Sequence, residues 1–256
     1  MEMRTFHGYK TQYQIQGGAS DTYFKSLPDH DLGGLVNYLS RLTRYKAIRN
    51  CLDIGANIGL ASLIMAELIP SGTILSFEPN PNTFEYLQEN ISKNHGWAQI
   101  SPQLLALGNS SGTIKFFCDE SMSHAAHISV DGTGVDVEQK TIDDFLAGVS
   151  VGNVDFIKID VEGFELPVLQ GARNTLLRHR PSILLEFNEY AIVNNARMDP
   201  TECLRRIIGL LGILAVVDSE TGEATPLSED PQEAIATLRS RMVSGGEIFD
   251  LVNHIA

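Results

Sequence analysis

Apolar and polar positions along this 256-residue chain follow two alternating rhythms. Short runs rich in β-branched and other apolar residues, bounded by turn formers, recur at 50–54, 73–78, 103–107, 154–160, 182–187 and 212–218 and predict buried strands. Between them, apolar residues recur at helical spacing: Leu60, Leu63, Ile64 and Leu68; Phe84, Leu87 and Ile91; Leu169, Ala172 and Leu176; Leu204, Ile207 and Leu211. Strand and helix in strict succession imply right-handed crossovers and a mostly parallel sheet covered on both faces, a doubly wound α/β fold. Two helix starts carry their own signals. Asn80 before Pro81 suits an N-cap with proline at the first helical position, and Thr141-Ile142-Asp143-Asp144 resembles a capping box with Asp in place of Glu.

The rhythm breaks in three places. Residues 108–140 hold strand-like pieces at 113–117 and 135–139 among Gly, Ser, Asp and His, which predicts an antiparallel hairpin or lid inserted before the fourth strand. After residue 218 the turn formers Glu220-Thr221-Gly222-Glu223 reverse the chain, and 247–252 is expected as an edge strand. Residues 1–49 form an N-terminal cap region with a helix near 32–43 that is expected to cover the site. Residues 50–256 make the main domain, and the whole is expected to be one structural unit.

In an open parallel sheet, ligands sit beyond the carboxyl ends of the strands, where the first strand enters a glycine turn and a helix. Asp53-Ile54-Gly55-Ala56-Asn57-Ile58-Gly59 occupies that point. Gly55 permits a tight turn, Ala56 leaves room for a ligand against the backbone, and Gly59 lets the helix start close to the sheet. A dinucleotide fingerprint would need a second glycine where Asn57 stands and a third where Leu60 stands. Asp53 would also repel a diphosphate, whereas it would attract the ammonium of an amino-acid-bearing cofactor such as S-adenosylmethionine (SAM). Glu78, ending the second strand, can accept two hydrogen bonds from a ribose diol. A strand-to-helix turn without a ligand is the plainer account, but such a turn has no need of two strand-end acids.

Composition narrows the partners. With 43% apolar residues, the chain can bury one substantial core. The net charge of −13 comes from acids spread along the chain, with no Lys/Arg cluster long enough to track a phosphate backbone, so neither nucleic acid nor an anionic membrane surface is an expected partner. Residues 1–16 lack the apolar core of a signal peptide, and no apolar run would span a bilayer, which points to a cytoplasmic protein. Cys51, Cys118 and Cys203 form no C-x-x-C pair and read as buried free thiols.

The runs Leu52-Asp53-Ile54-Gly55-Ala56-Asn57-Ile58-Gly59, Ser76-Phe77-Glu78-Pro79-Asn80 and Ile157-Lys158-Ile159-Asp160-Val161-Glu162-Gly163-Phe164-Glu165 resemble the FkbM family of methyltransferases. Leu169-Gln170-Gly171-Ala172 and Leu184-Leu185-Glu186-Phe187 extend the resemblance, which covers about 50–188. It implies a seven-stranded Rossmann-like SAM-dependent methyltransferase and O-methylation of a small-molecule or glycan acceptor, on a hydroxyl of a sugar, glycan or other natural product. It also implies that Asp53, Gly55, Ala56, Asn57, Gly59, Glu78 and Pro79 form the SAM pocket, with Ala106 and Leu107 near the adenine. Other acceptors, nitrogen or carboxylate, and a methyltransferase-like domain that binds without catalysis, remain alternatives.

Lys158, Asp160 and Glu162 stand at the end of the fourth strand and Glu186 at the end of the next. Alternation along the strand sends Lys158 and Asp160 to one face. A lysine in a buried strand needs a partner, and a structural ion pair competes with a catalytic grouping. Asp160 or Glu162 is expected to orient or deprotonate the acceptor hydroxyl, with Lys158 tuning the carboxylate and Glu186 facing the same crevice. Three converging carboxylates, with Asn188 nearby, must be relieved by a proton, by Lys158, or by a hard cation such as Mg²⁺. His124 and His127, in the insertion expected to shape the acceptor pocket, are alternative bases.

Overall fold

Strand pairing order decides where a doubly wound sheet can hold a ligand. The structure, a computed structural model, describes residues 1–27, 33–94, 98–119, 121–241 and 248–253, without the side chain of His124. A hairpin of β1 (Glu2–His7) and β2 (Gln12–Gly17) leads through α1 (Thr22–Ser26) and α2 (Gly33–Leu42) to β3 (Asn50–Ile54), α3 (Leu60–Leu68), β4 (Thr73–Phe77), α4 (Pro81–Lys93) and β5 (Gln99–Gln103). Next come β6 (Ala106–Leu107), β7 (Gly112–Phe117), a 3-10 turn at Ser123–Ala125, β8 (His127–Ile128), β9 (Val135–Lys140) and α5 (Ile142–Ala147). The second half runs β10 (Phe156–Ile159), α6 (Glu165–Gln170), α7 (Arg173–His179), β11 (Ser182–Asn188), α8 (Glu189–Asn194) and α9 (Pro200–Leu211). It ends with β12 (Leu214–Val217), β13 (Ala224–Pro226), α10 (Pro231–Ser240) and β14 (Ile248–Asn253).

The main sheet has the order β13-β12-β14-β11-β10-β3-β4-β5, with parallel pairing from β11 through to β5. The chain winds outward from β3 to β5 and then restarts at β10 on the other side of β3. That reversal opens a crevice between the carboxyl ends of β3 and β10, the switch point at which open α/β sheets bind ligands. Alternation along each strand splits the core. Leu52, Ile54, Ile157, Ile159, Ile183 and Leu185 pack with α6, α9 and α10 on one face. Cys51, Phe156 and Leu184 pack with α2, α3 and the hairpin residues Tyr13 and Ile15 on the other. The same period places Asp53, Lys158 and Glu186 on this second face.

The predicted caps form: Asn80 Oδ1 accepts from the Asn82 N–H at 3.1 Å, and Thr141 Oγ1 from the Asp144 N–H at 2.9 Å. Six features differ from expectation. The third strand is β5 rather than 103–107; Leu104 is 48% exposed, and Ala106–Leu107 pairs instead with β9. The apolar spacing at Leu169, Ala172 and Leu176 belongs to two helices that meet at Gly171, whose backbone packs on the Gly108 carbonyl where a Cβ would overlap it. The expected edge strand at 247–252 is instead β14, an interior strand antiparallel to both neighbours, with Glu247 outside the described residues. The insertion holds the expected antiparallel pair β7–β9, flanked by β6 and β8 to make a four-stranded sheet. The short β13 gives the main sheet an eighth strand, and the β1–β2 hairpin has no counterpart in the sequence reading. The predicted 32–43 helix is α2, residue 32 lying outside the described set. Among the described residues no helix is long and apolar enough to cross a membrane.

Candidate active site

The turn after β3 is fixed from both sides. The N–H groups of Gly55 and Ala56 both donate to the Phe77 carbonyl, at 3.0 and 2.9 Å, which ties the turn to the end of β4. Gly55 has φ +80°, and a Cβ there would overlap the Asp160 carbonyl oxygen. Gly55 therefore serves a close approach between the β3 turn and the β10 exit as well as the turn itself, a reason its own sequence neighbourhood does not reveal. Gly59, at φ +91°, starts α3, and its missing Cβ makes room for Leu87 of α4.

Glu78 holds the far side of this turn. Its Oε2 accepts from the Asn57 N–H at 2.9 Å and its Oε1 from the Asn80 N–H at 2.8 Å. Burial pushes its pKa up to about 7, against the pull of those two N–H donors. Asn57, at φ 48°, carries a buried Oδ1 with no hydrogen-bond partner. A buried acceptor left open in this way suits a donor on a ligand.

These residues line a cavity of about 610 Å³, within the range of small-molecule sites. It brings together Gly55, Ala56, Asn57, Glu78, Pro79, Ala106 and Leu107 with the reactive candidates Lys158, Asp160, Glu162 and Glu186. Asp53 and Gly59 are not in its wall. Asp53 is fully buried and lies directly opposite Lys158 in the β3–β10 register. Its Oδ2 accepts from Ser62 Oγ at 2.5 Å, Ser62 and Ser76 share a hydrogen bond at 2.7 Å, and its Oδ1 stands 3.7 Å from Lys158 Nζ.

Lys158 donates to Asp160 Oδ2 at 3.0 Å and so links the fully buried Asp53 to the third-exposed Asp160. Burial works against its charge, but the carboxylates of Asp160 and Asp53 outweigh burial and hold its pKa above the ordinary lysine range. Lys158 is thus a fixed cation at the switch point. The carboxylate oxygens of Asp160, Glu162 and Glu186 come within 4.8 Å of one another. Burial, then the Asp160 charge, raises Glu162 to about 8 and Glu186 well above its ordinary value. Such acids retain protons near neutral pH and can exchange them there. Glu165, which follows in sequence, is structural: its Oε1 accepts from the N–H groups of Val161 and Gly163, each at 3.1 Å, and shapes the turn that carries Glu162 at φ 54°.

Two segments roof the cavity, and the first, α1, belongs to the N-terminal region expected as a cap, although the helix expected to cover the site is the one at 32–43. Tyr23 of α1 lines it, as do Phe116, Ser123, His127 and Ile128 of the insertion. Asp21 latches the two together, accepting from Ser123 Oγ at 2.6 Å and Ser123 N at 3.1 Å, while Thr22 N donates to the Ser121 carbonyl at 2.8 Å. No sequence signal pairs these segments beyond the capping Asp21, which also accepts from the Tyr23 N–H. His127 sits 2.7 Å through Nδ1 from the Ala125 carbonyl, and His124 falls outside the described side chains.

A model of the methyltransferase FkbM domain matches residues 53–210. Hexuronic acid methyltransferase AglP of Haloferax volcanii is 35% identical over 127 residues, 48% of this chain and 50% of that protein. Methyltransferase sdnD of Sordaria araneosa is 29% identical over 152 residues, 47% of this chain and 59% of that protein. The 2-O-methyltransferase NoeI of Sinorhizobium fredii is 24% identical over 147 residues, covering 50% of this chain and 59% of its own length. The chain thus spans 50–59% of these relatives. The match begins at the buried carboxylate under Lys158 and runs into the last turn of α9, across the switch point and both of its charged strand ends, and the chain belongs to the FkbM methyltransferase family.

Proposed function

We propose that this chain is a SAM-dependent methyltransferase that methylates a hydroxyl of a sugar or related natural product. Family membership supports the activity, and relatives whose names specify a hexuronic acid and a 2-O position support a sugar hydroxyl. The observation that carries the reading is a single cavity lined both by the doubly held Glu78 and Asn57, whose buried Oδ1 has no partner, and by the Lys158–Asp160 pair.

When bound, SAM would supply a methyl on a cationic sulfur for transfer to the acceptor hydroxyl oxygen. Glu78 would accept from the ribose diol, and Asn57 Oδ1 would accept from the ammonium. Asp53 acts indirectly, by holding Lys158. Ala106 and Leu107 give the adenine an apolar wall. Lys158 fixes the Asp160 carboxylate toward the cavity, and Asp160 orients the acceptor hydroxyl and takes its proton as the new bond forms, so positioning supplies much of the rate. Glu162 and Glu186 already hold protons, which leaves Asp160 as the acceptor of this one, and Asp160 releases it to solvent. The roof of α1 and the insertion excludes water and belongs to the same structural unit as the sheet.

Methyl-labelled SAM incubated with methyl glycosides should leave label on an ether oxygen. Label on nitrogen or as a methyl ester would overturn the hydroxyl assignment. Glu78→Ala should weaken binding of the demethylated product S-adenosylhomocysteine by roughly 1–3 kcal/mol in calorimetry, the cost of losing a charged acceptor. Because the diol donates best to an ionised carboxylate and Glu78 titrates at about 7, affinity should fall about tenfold from pH 8 to pH 6. Equal affinity at the two pH values would remove Glu78 from the site.

A further inference from the structure

A second cavity, of about 520 Å³, lies on the far side of the reactive residues. Lys158, Asp160 and Glu186 wall both cavities, so the charged group expected to act on the acceptor is the partition between them. The first cavity reaches from this partition to the Gly55 turn and Glu78. The second reaches the other way, over the carboxyl ends of β11 and β12 and the start of β14, and is closed by the N-terminal turn of α2. Asn37 of α2 fixes that wall by donating to the carbonyls of Ser219 and Glu220, at 2.8 and 3.1 Å.

The lining has two characters. Leu184, Val216 and Phe249 present an apolar floor, while Asp160, Glu186 and Asp250 supply carboxylates. Asp250 is packed against Gly34, whose missing side chain leaves room for the carboxylate; a Cβ there would overlap it. Asp218 is occupied by its own turn, accepting from the N–H groups of Glu220 and Thr221 and the Thr221 hydroxyl, and Arg241 stands at the rim. Acids that face an apolar floor accept hydrogen bonds from hydroxyl or ammonium groups while the floor takes the C–H face of a ring. Glu186 holds its proton and Asp160 is paired with Lys158, which leaves Asp250, pushed by burial up to about 6 and so ionised at neutral pH, to repel a carboxylate within a few ångströms.

Resting on the methyltransferase reading above, we propose that this second cavity binds the acceptor, and that the acceptor is a polyhydroxylated ring without a carboxylate, a neutral or amino sugar. It lies on the apolar floor, donates to Asp250 and Glu186, and extends its reactive hydroxyl past the partition to Asp160. A hexuronate is disfavoured by the charge of Asp250, not by size.

The test uses the full chain saturated with S-adenosylhomocysteine, with methyl glycosides of a neutral hexose, an aminohexose and a hexuronic acid as probes, read by ligand-observed NMR titration. Neutral and amino glycosides should bind at least about tenfold more tightly than the hexuronoside. Ser219→Trp, at the exposed rim, and Asp250→Asn should each weaken glycoside binding about tenfold while leaving S-adenosylhomocysteine affinity unchanged. Unchanged glycoside affinity in both variants, preference for the hexuronoside, or no binding of any probe would overturn the assignment. Glycoside binding that is sensitive to both variants, with no methyl transfer from SAM, would uphold the acceptor site and overturn the enzymatic reading instead.

Discussion

Gly55→Ala should lower the melting temperature by roughly 10 °C and abolish measurable SAM binding. Two costs add at this position. A non-glycine residue at φ +80° costs about 1–2 kcal/mol, and the new Cβ meets the Asp160 carbonyl, backbone on backbone, with no flexible end to move aside. Together they reach roughly 3–5 kcal/mol, and a domain of this size loses about 2–4 °C per kcal/mol. Gly209→Ala is the control: this glycine lies in α9 with nothing within 4 Å of the place an added Cβ would take, so alanine should stabilise by about 0.5–1 kcal/mol through helix propensity. If Gly55→Ala melts within a degree of the parent, the close approach of the two turns is not a constraint. Loss of binding without loss of stability would confine the effect to the ligand.

Asp160→Asn should reduce turnover by at least about a hundredfold with SAM affinity intact, the usual scale for losing a general base. The fold should survive. Asp160 is a third exposed, so solvent screens its pairing with Lys158, and Lys158 keeps Asp53 as a counter-charge. Single-turnover kinetics with labelled SAM separates the chemical step from binding, and wild-type rates in the variant would move the base to Glu162 or Glu186. Protons on Glu162 and Glu186 and the charge of Lys158 relieve the acid cluster, so activity should persist in EDTA. Loss of activity in EDTA with recovery on adding Mg²⁺ would instead assign the three carboxylates to a cation.

The parts of the site that lie within one sequence run are legible. The strand 50–54 is β3 to the residue, the Gly55–Gly59 turn and Glu78 stand at strand ends, and Asn80 caps its helix. The parts that depend on neighbours across the sheet are not. Asp53 reads as available to a ligand because its partner, Lys158, is distant in sequence and becomes its neighbour only through the β3–β10 register. The third strand is misplaced in the sequence for a related reason. The Gln99–Gln103 edge strand contains Pro102 and little apolar surface, so the more apolar run after it takes the reading. Tyr23 cannot be foreseen, since what brings α1 over the cavity is a latch between Asp21 and Ser123.

The interior position of β14 has a consequence for synthesis. Among the described residues β11 and β12 are joined through β14, which is made after both. As the chain emerges from the ribosome, β3, β4, β5, β10 and β11 can assemble, but the apolar edge of β11, with Leu184, Leu185 and Phe187, stays open until residue 253 clears the exit tunnel. An open apolar edge is a template for pairing with another chain. The long loop that β14 must close makes this final step slow relative to the local helices. The nascent protein therefore passes through a stage in which one strand edge of the partly built sheet is open to other chains.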